Sequence, residues 1–310
     1  LHRTSLAGAI LAGYLKGIIM KKLFEQKKIV LSVEIFPPKA DANVASTLES
    51  AKDIWALGPD YISITRGAGG STIGMDSVAI ADKMTNEYGI VTLAHLTCIN
   101  TDKGNINILL DRLEDAGVKN ILALRGDLTP DTQGQARDFH YATDLIKHIK
   151  KRNGFDICAA CYPEGHAESS NFEQDLHVMK IKADLGVTHF ITQLFFDNNV
   201  FYNMLEQMDR HNISTPVQAG IMPLANINVL NKIVRLSGAK IPKKLSNIIM
   251  RYQNNPESFF AAGVDYAISQ MEELLSFGAR GLHLYAMNNV RLATLVANSI
   301  YPKAKAINTI

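Results

Sequence analysis

Past residue 28 the chain alternates between two hydrophobic periods. Short β-type runs stand at 29–35 (IVLSVEI), 60–65 (DYISIT), 90–97 (IVTLAHLT), 119–124 (KNILAL), 155–161 (FDICAAC), 188–193 (THFITQ), 216–219 (PVQA) and 280–285 (RGLHLY). Between them lie segments with apolar residues three and four apart. Leu109, Leu110, Leu113 and Ala116 form one such helical face, and Leu176, Met179, Ile181 and Leu185 mark another apolar segment. Gly58, Gly117, Gly186 and Gly278 fall where helices are expected to stop before the next strand. The strands are nearly continuous in apolar character, as expected of strands covered on both faces. Eight strand–helix units in sequence predict an α/β chain folded as a closed (β/α)8 TIM barrel. An open doubly wound sheet is the alternative, weakened because no G-x-G-x-x-G follows the first strand. Residues 236–257 interrupt the alternation and predict one added short helix.

In a barrel, chemistry gathers at the C-terminal ends of the strands. The predicted ends carry Glu34; Thr65 and Arg66 before the run Gly67–Ser71; His95; Arg125, Gly126 and Asp127; Tyr162, Glu164 and His166; Gln193; and Gln218 with Gly220. Pro37 and Pro38 turn the chain away directly after the first strand. Each feature has an ordinary explanation. Glu34 can be an ion-pair partner, Arg125 can pair with Asp127, His95 can be a core histidine, and the glycine run can be only a turn. Their concentration on one predicted face favours a shared site. No G-x-S-x-G elbow and no H-E-x-x-H occurs, and the histidines lack metal-ligand spacing, so no metal is expected. A carboxyl in apolar surroundings favours its neutral form, and one beside a guanidinium favours the anion. One acid and one anion suit proton-assisted chemistry on a bound heterocycle.

Composition narrows the picture only a little. The 310 residues are 47% hydrophobic and 20% charged, with 32 basic and 30 acidic side chains. This near-balance argues against a nucleic-acid or membrane partner. Three cysteines, Cys98, Cys158 and Cys161, suit a reducing cytoplasm better than a disulfide framework. Cys158 and Cys161 form a C-x-x-C at the end of a strand with no second pair, and are expected to be buried core thiols. Residues 1–19 precede a natural-looking start at Met20 and are expected to be a non-native or unstructured leader. The rest, 20–310, is expected to form one catalytic barrel.

The segments VEIFPPK, SITRGAGGST, AHLTCI, LALRGD, YPEGH, ITQLFFD and GIMP, in this order from about residue 29 to 302, together resemble methylenetetrahydrofolate reductase. The resemblance implies a flavoprotein barrel whose FAD is reduced by NADH or NADPH. The nicotinamide then gives up its place to 5,10-methylenetetrahydrofolate, which leaves as 5-methyltetrahydrofolate for methionine synthesis. By position, Glu34 resembles the general acid that protonates N10 and helps open the ring to an iminium at N5. Asp127 resembles the aspartate that contacts the pterin beside the flavin. Gln193 resembles the amide that bonds the folate and meets the nicotinamide, and Thr65 resembles a nicotinamide contact. Ala68, His95, Arg125, Gly126, Tyr141, Ala142, Tyr162, His166, Asp175 and Lys182 fall at FAD positions. His166 and Lys182 are expected near the diphosphate or ribose.

The chain also departs from the family pattern. Arg66 replaces an aromatic, Val178 and Ile181 replace polar FAD contacts, and Ile227 stands where an aromatic often stacks on folate or nicotinamide. Asn289 replaces the arginine of an Asn-Arg pair after Asn288, with Arg291 the nearby substitute. A flavin-independent reductase and a non-catalytic folate-binding subunit are therefore carried as alternatives. The resemblance also implies a homo-oligomer. The chain's length implies no S-adenosylmethionine control, because it leaves no room for a regulatory domain after the barrel.

Overall fold

A computed structural model of the protein describes residues 19–38, 44–66, 77–99, 101–127 and 138–309. Residues 1–18 of the expected leader, and Ala68 with the rest of the glycine run, lie outside the described residues.

The strands are β1 (Val30–Ile35), β2 (Tyr61–Ile64), β3 (Thr92–Thr97), β4 (Asn120–Leu124), β5 (Asp156–Cys161), β6 (Phe190–Thr192), β7 (Val217–Ile221) and β8 (Gly281–Tyr285). All pair in parallel and in chain order, and β8 returns to β1, closing the barrel. The helices among the described residues are α1 (Met20–Gln26), α2 (Val44–Ala56), α3 (Ser77–Asn86), α4 (Lys103–Asp115), α5 (Ala142–Ile149), α6 (Phe172–Asp184), α7 (Asn198–Arg210), α8 (Ile227–Ser237), α9 (Lys243–Tyr252), α10 (Pro256–Phe277) and α11 (Val290–Thr309). The expected extra helix in 236–257 is α9. The barrel is the one read from the sequence, and each strand lies within two residues of its predicted span.

The period of two explains where each side chain goes. On β1, Leu31, Val33 and Ile35 face outward into the large core between sheet and helices. Val30 faces the barrel interior, where it packs with Tyr61, Leu93, Leu122, Cys158 and Ile191. Ser32 and Glu34 follow it on the same inward face. The helices cover the outer face with apolar stripes, such as Ile106, Leu109, Leu110 and Leu113 of α4. Gly278 ends α10 at φ 95°, a conformation that favours glycine, and lets the chain turn into β8.

Helix α1 closes the N-terminal end of the barrel. Its spacing puts Met20, Leu23 and Phe24 on one face, and all three are buried against the inward residues. The Met20 amide donates to Asn120 Oδ1 at 3.1 Å and the Lys21 amide to Asp156 Oδ2 at 2.7 Å, which satisfies two free N–H groups of the helix start. Two asparagines pin the seam between β1 and β8. Asn308 accepts from the Ile29 amide and donates to its carbonyl, both at 2.9 Å, just before β1. Asn288 does the same with Phe36 just after β1, at 2.8 and 2.9 Å.

No helix among the described residues is long and apolar enough to cross a membrane. No group of three or more His, Cys, Asp or Glu among them could hold a metal ion. The three cysteines are free and buried, and burial pushes the Cys161 thiol up to about 12.

Candidate active site

The C-terminal end of the barrel opens into a cavity of about 340 Å³. Glu34, Thr65, His95, Arg125, Gly126, Asp127, Tyr162, His166 and Gln193 all line it, so strand ends far apart in sequence meet in one place. A second cavity of about 390 Å³ lies between β4, β5 and helices α5 and α6. Tyr141, Ala142, Asp175 and Lys182 line it. Arg125, Tyr162 and His166 belong to both walls, so the two cavities adjoin.

Glu34 sits on the floor of the first cavity and not at its rim. It precedes Ile35, the last residue of β1, and is buried at 7% exposure. Its Oε2 lies 3.5 Å from His95 Nε2 and 3.5 Å from His283 Nε2. Burial lowers His95 to a pKa of about 4, so its imidazole is neutral at pH 7 and offers Glu34 no counter-charge. Three buried polar atoms here lack a hydrogen-bond partner: Ser63 Oγ, Thr65 Oγ1 and His95 Nε2. Ser63 sits opposite Glu34 in the β1–β2 register. Unpartnered polar atoms are costly when buried, and here two of them face the cavity. Gln193 lines the cavity, and its Oε1 accepts from its neighbour's amide (Leu194 N, 2.9 Å). Asp127 is exposed at the mouth.

The second cavity has a charged wall and an apolar one. Lys182 is buried, donates to the Ala160 carbonyl at 2.8 Å, and is lowered to a pKa of about 8 by that burial. Arg125 forms a two-pronged ion pair with Glu168 at 2.5 and 2.6 Å. Glu168 comes from the β5–α6 loop, and the Asp127 charge also acts on the Arg125 guanidinium. Asp175 braces that same loop, accepting from the His166 amide at 3.0 Å and the Ser169 hydroxyl at 2.7 Å. The His166 ring meets Tyr162 edge-on with centroids 4.7 Å apart. Val178 and Ile181 form part of the apolar wall.

Two expected positions fall elsewhere. Ile227 does not line either cavity. Asn226 caps α8 by accepting from the Asn228 amide at 2.8 Å, so the helix starts at Ile227 and that side chain packs with Leu194, Phe196 and Met222. Ile233 and Leu236, further along α8, line the cavity. Arg291 lines neither cavity. It pairs with Glu257 at 3.1 Å and lies over the Phe260 ring, away from the cavity. Asn289 has a structural task, accepting from the Leu292 amide at 3.0 Å at the start of α11.

Sequence reasoning also missed His283, Tyr285 and Glu168. The alternation Gly281, His283, Tyr285 on β8 signals two inward polar side chains. Tyr285 donates to the Thr192 carbonyl at 2.6 Å, and Gly220 leaves room for it, since a Cβ there would lie 2.7 Å from the ring. No local signal marks Glu168, which finds Arg125 only through the fold.

The methylenetetrahydrofolate reductase family model matches residues 19–300. A 5,10-methylenetetrahydrofolate reductase of Buchnera aphidicola subsp. Schizaphis graminum is 32% identical over 89% of this chain and 93% of its own length. Methylenetetrahydrofolate reductase (NADH) 1 of Arabidopsis thaliana is 32% identical over 87% of this chain, which spans only 48% of that relative's length. Among solved structures, an uncharacterized Clostridium thermocellum protein that binds two copies of 5-methyl-5,6,7,8-tetrahydrofolic acid matches with a TM-score of 0.65. It is 16% identical and covers 92% of this chain and 99% of its own, a likeness of fold. With its matching family model and its closed barrel, the chain belongs to the methylenetetrahydrofolate reductase family.

Proposed function

We propose that this protein reduces 5,10-methylenetetrahydrofolate to 5-methyltetrahydrofolate, using an FAD that NADH or NADPH recharges. The observation that carries the reading is a buried carboxyl, Glu34, on the floor of a cavity lined by otherwise unpartnered polar atoms. The relatives' names supply both reductants, NADH in plants and NADPH in Caenorhabditis elegans.

The residues fit an elongated flavin cofactor. Two adjoining cavities accommodate its two ends, and Arg125 and His166 stand where they meet. Lys182 and Arg125 supply positive charge for a diphosphate, and Thr65 Oγ1 and His95 Nε2 await polar partners. When bound, FAD carries hydride from the nicotinamide to the folate carbon. The chain's own part is proton delivery and orientation. Glu34 holds a proton for N10 of the folate, in a floor shielded from bulk water. Gln193 directs amide hydrogens at the ring, and Asp127 places negative charge at the mouth, where a cationic folate is stabilised. Ile233, Leu236 and Met287 give the mouth an apolar lip.

The deciding measurement is an anaerobic absorbance titration. The purified protein is expected to show a flavin spectrum that NADH or NADPH bleaches and 5,10-methylenetetrahydrofolate restores. A flavin that bleaches but is not restored by the folate overturns the substrate assignment. Folate turnover by colourless protein without added FAD would favour a flavin-independent reductase, for which Val178 and Ile181 in the cofactor wall are the motivating observation.

A further inference from the structure

Below Glu34, the barrel interior holds a hydrogen-bonded chain that neither cavity includes. Gln218 of β7 is fully buried. Its Oε1 accepts from the Tyr61 hydroxyl, and its Nε2 donates to Ser32 Oγ at 3.1 Å and to the Val30 carbonyl at 3.3 Å. A backbone carbonyl only accepts, so the amide nitrogen must point this way. The Tyr61 phenol is held neutral by burial and therefore remains a donor. Ser32 Oγ thus receives the amide hydrogen. The Ser32 hydroxyl lies 2.7 Å from His283 Nδ1, and the amide bond leaves its own hydrogen available to that nitrogen. An Nδ1 that accepts leaves the imidazole hydrogen on Nε2, the atom 3.5 Å from Glu34 Oε2.

Space for this arrangement is built into the backbone. Gly281 lies beside Gln218, and a Cβ there would stand 2.6 Å from Gln218 Cγ and 2.8 Å from the Val30 carbonyl. Barrel interiors are usually filled by branched apolar side chains. Here a polar amide fills the layer, and its hydrogen bonds are satisfied.

We propose that Gln218, held by Tyr61, is a positioning residue that fixes His283 as the Nε2–H tautomer and so directs a hydrogen-bond donor at the Glu34 carboxyl. This rests on the reading of Glu34 as the proton donor. With a donor at Nε2, the carboxylate left after proton transfer is stabilised. With a bare nitrogen there, His283 would compete with substrate for the proton. A separation of 3.5 Å is long for a hydrogen bond, but such contacts commonly tighten once substrate is bound.

The test is ¹⁵N-resolved NMR of the imidazoles in the full chain, with His283 assigned by the loss of its signals in His283→Gln. Wild type is expected to show the His283 proton on Nε2, and Gln218→Met a mixture of tautomers. In stopped flow, Gln218→Met is expected to slow the folate step about 10-fold, as loss of an outer-shell partner commonly does, while reduction by NADH stays unchanged. A merely structural role would slow both steps. Should Gln218→Met fail to fold, Tyr61→Phe removes one hydroxyl and carries the same expectation at smaller size. A wild-type His283 protonated at Nδ1, or an unaltered tautomer and rate in the variants, overturns the proposal. Absence of folate turnover in wild type would instead refute the functional reading, while the spectrum would still decide the tautomer.

Discussion

The two ends of the barrel interior are built on opposite principles. At the N-terminal end, Met20, Leu23 and Phe24 seal an apolar layer, and the helix-start amides of Met20 and Lys21 find side-chain acceptors. At the C-terminal end, Ser63 Oγ, Thr65 Oγ1 and His95 Nε2 are buried without partners beside a carboxyl. One end is optimised for the chain itself. The other holds polarity in reserve for something that is not the chain. In such a barrel, stability and chemistry are separated along a single axis.

Four substitutions or titrations break or sharpen that contrast. The largest effect belongs to the upper end. Glu34→Gln is expected to lower folate reduction by about 10²–10⁴-fold, the range for loss of a general acid, with the melting temperature nearly unchanged. Steady-state rates with 5,10-methylenetetrahydrofolate, alongside a thermal melt, check this; undiminished turnover would remove Glu34 from its role. The lower end is expected to behave in reverse. Phe24→Ala removes a ring buried against His189, with centroids 4.7 Å apart. It should cost about 3–5 kcal/mol of stability while leaving the catalytic rate of the folded fraction intact, as read by urea unfolding and by activity at low temperature.

The third prediction uses pH. His95 falls from 6.5 to about 4 and His189 to about 3, both by burial. The unfolded chain binds more protons than the native one between each folded value and 6.5. Stability from these neutral rings is therefore present above pH 6.5 and is lost as pH falls through that window. For a shift like that of His95 the loss amounts to about 3 kcal/mol. Acid unfolding of His95→Gln should show a shallower decline. Adding 5-methyltetrahydrofolate should move the NMR titration of His95 and leave that of the sealed His189 in place. Equal movement of both would dissolve the distinction between the ends. The smallest effect is that of Asn289→Arg. Loss of the α11 cap should cost about 1 kcal/mol, and the restored cation should lower KM for the folate, measured by unfolding and by initial rates.

The parallel barrel was legible because strand and helix periods alternate without interruption up to residue 235. The upper site was legible because polar residues at strand ends break an apolar pattern. The lower polar layer was not legible: Tyr61 and His283 lie inside β2 and β8, and Gln218, expected at a strand end, lies inside β7, which runs on to Ile221. The inward period of two would have found His283 and Tyr285. The position of Ile227 has a local reason: Asn226 caps a helix that starts there, and the Ile227 side chain packs against an apolar cluster. The departure at Asn289 looked like a lost contact, yet the side chain caps a helix, a trade visible only once α11 is seen to start beside it. Glu168 was illegible because its partner is 43 residues away, across a loop with no periodic signal.

The asparagine clasps at the seam also set a timetable. Asn288 and Asn308 grip the two flanks of β1 across 252 and 279 residues of intervening chain. During synthesis β1 emerges early and must wait for both. At ordinary elongation rates that wait is on the order of tens of seconds. Through it, β1 has one unpaired edge, an exposed template for mispairing. The Lys27–Asp60 ion pair and the bond from the Leu31 amide to Asp60 Oδ2 join β1 to its early neighbour β2. They give the waiting strand a partner on one side, while the ring stays open until β8 has been made.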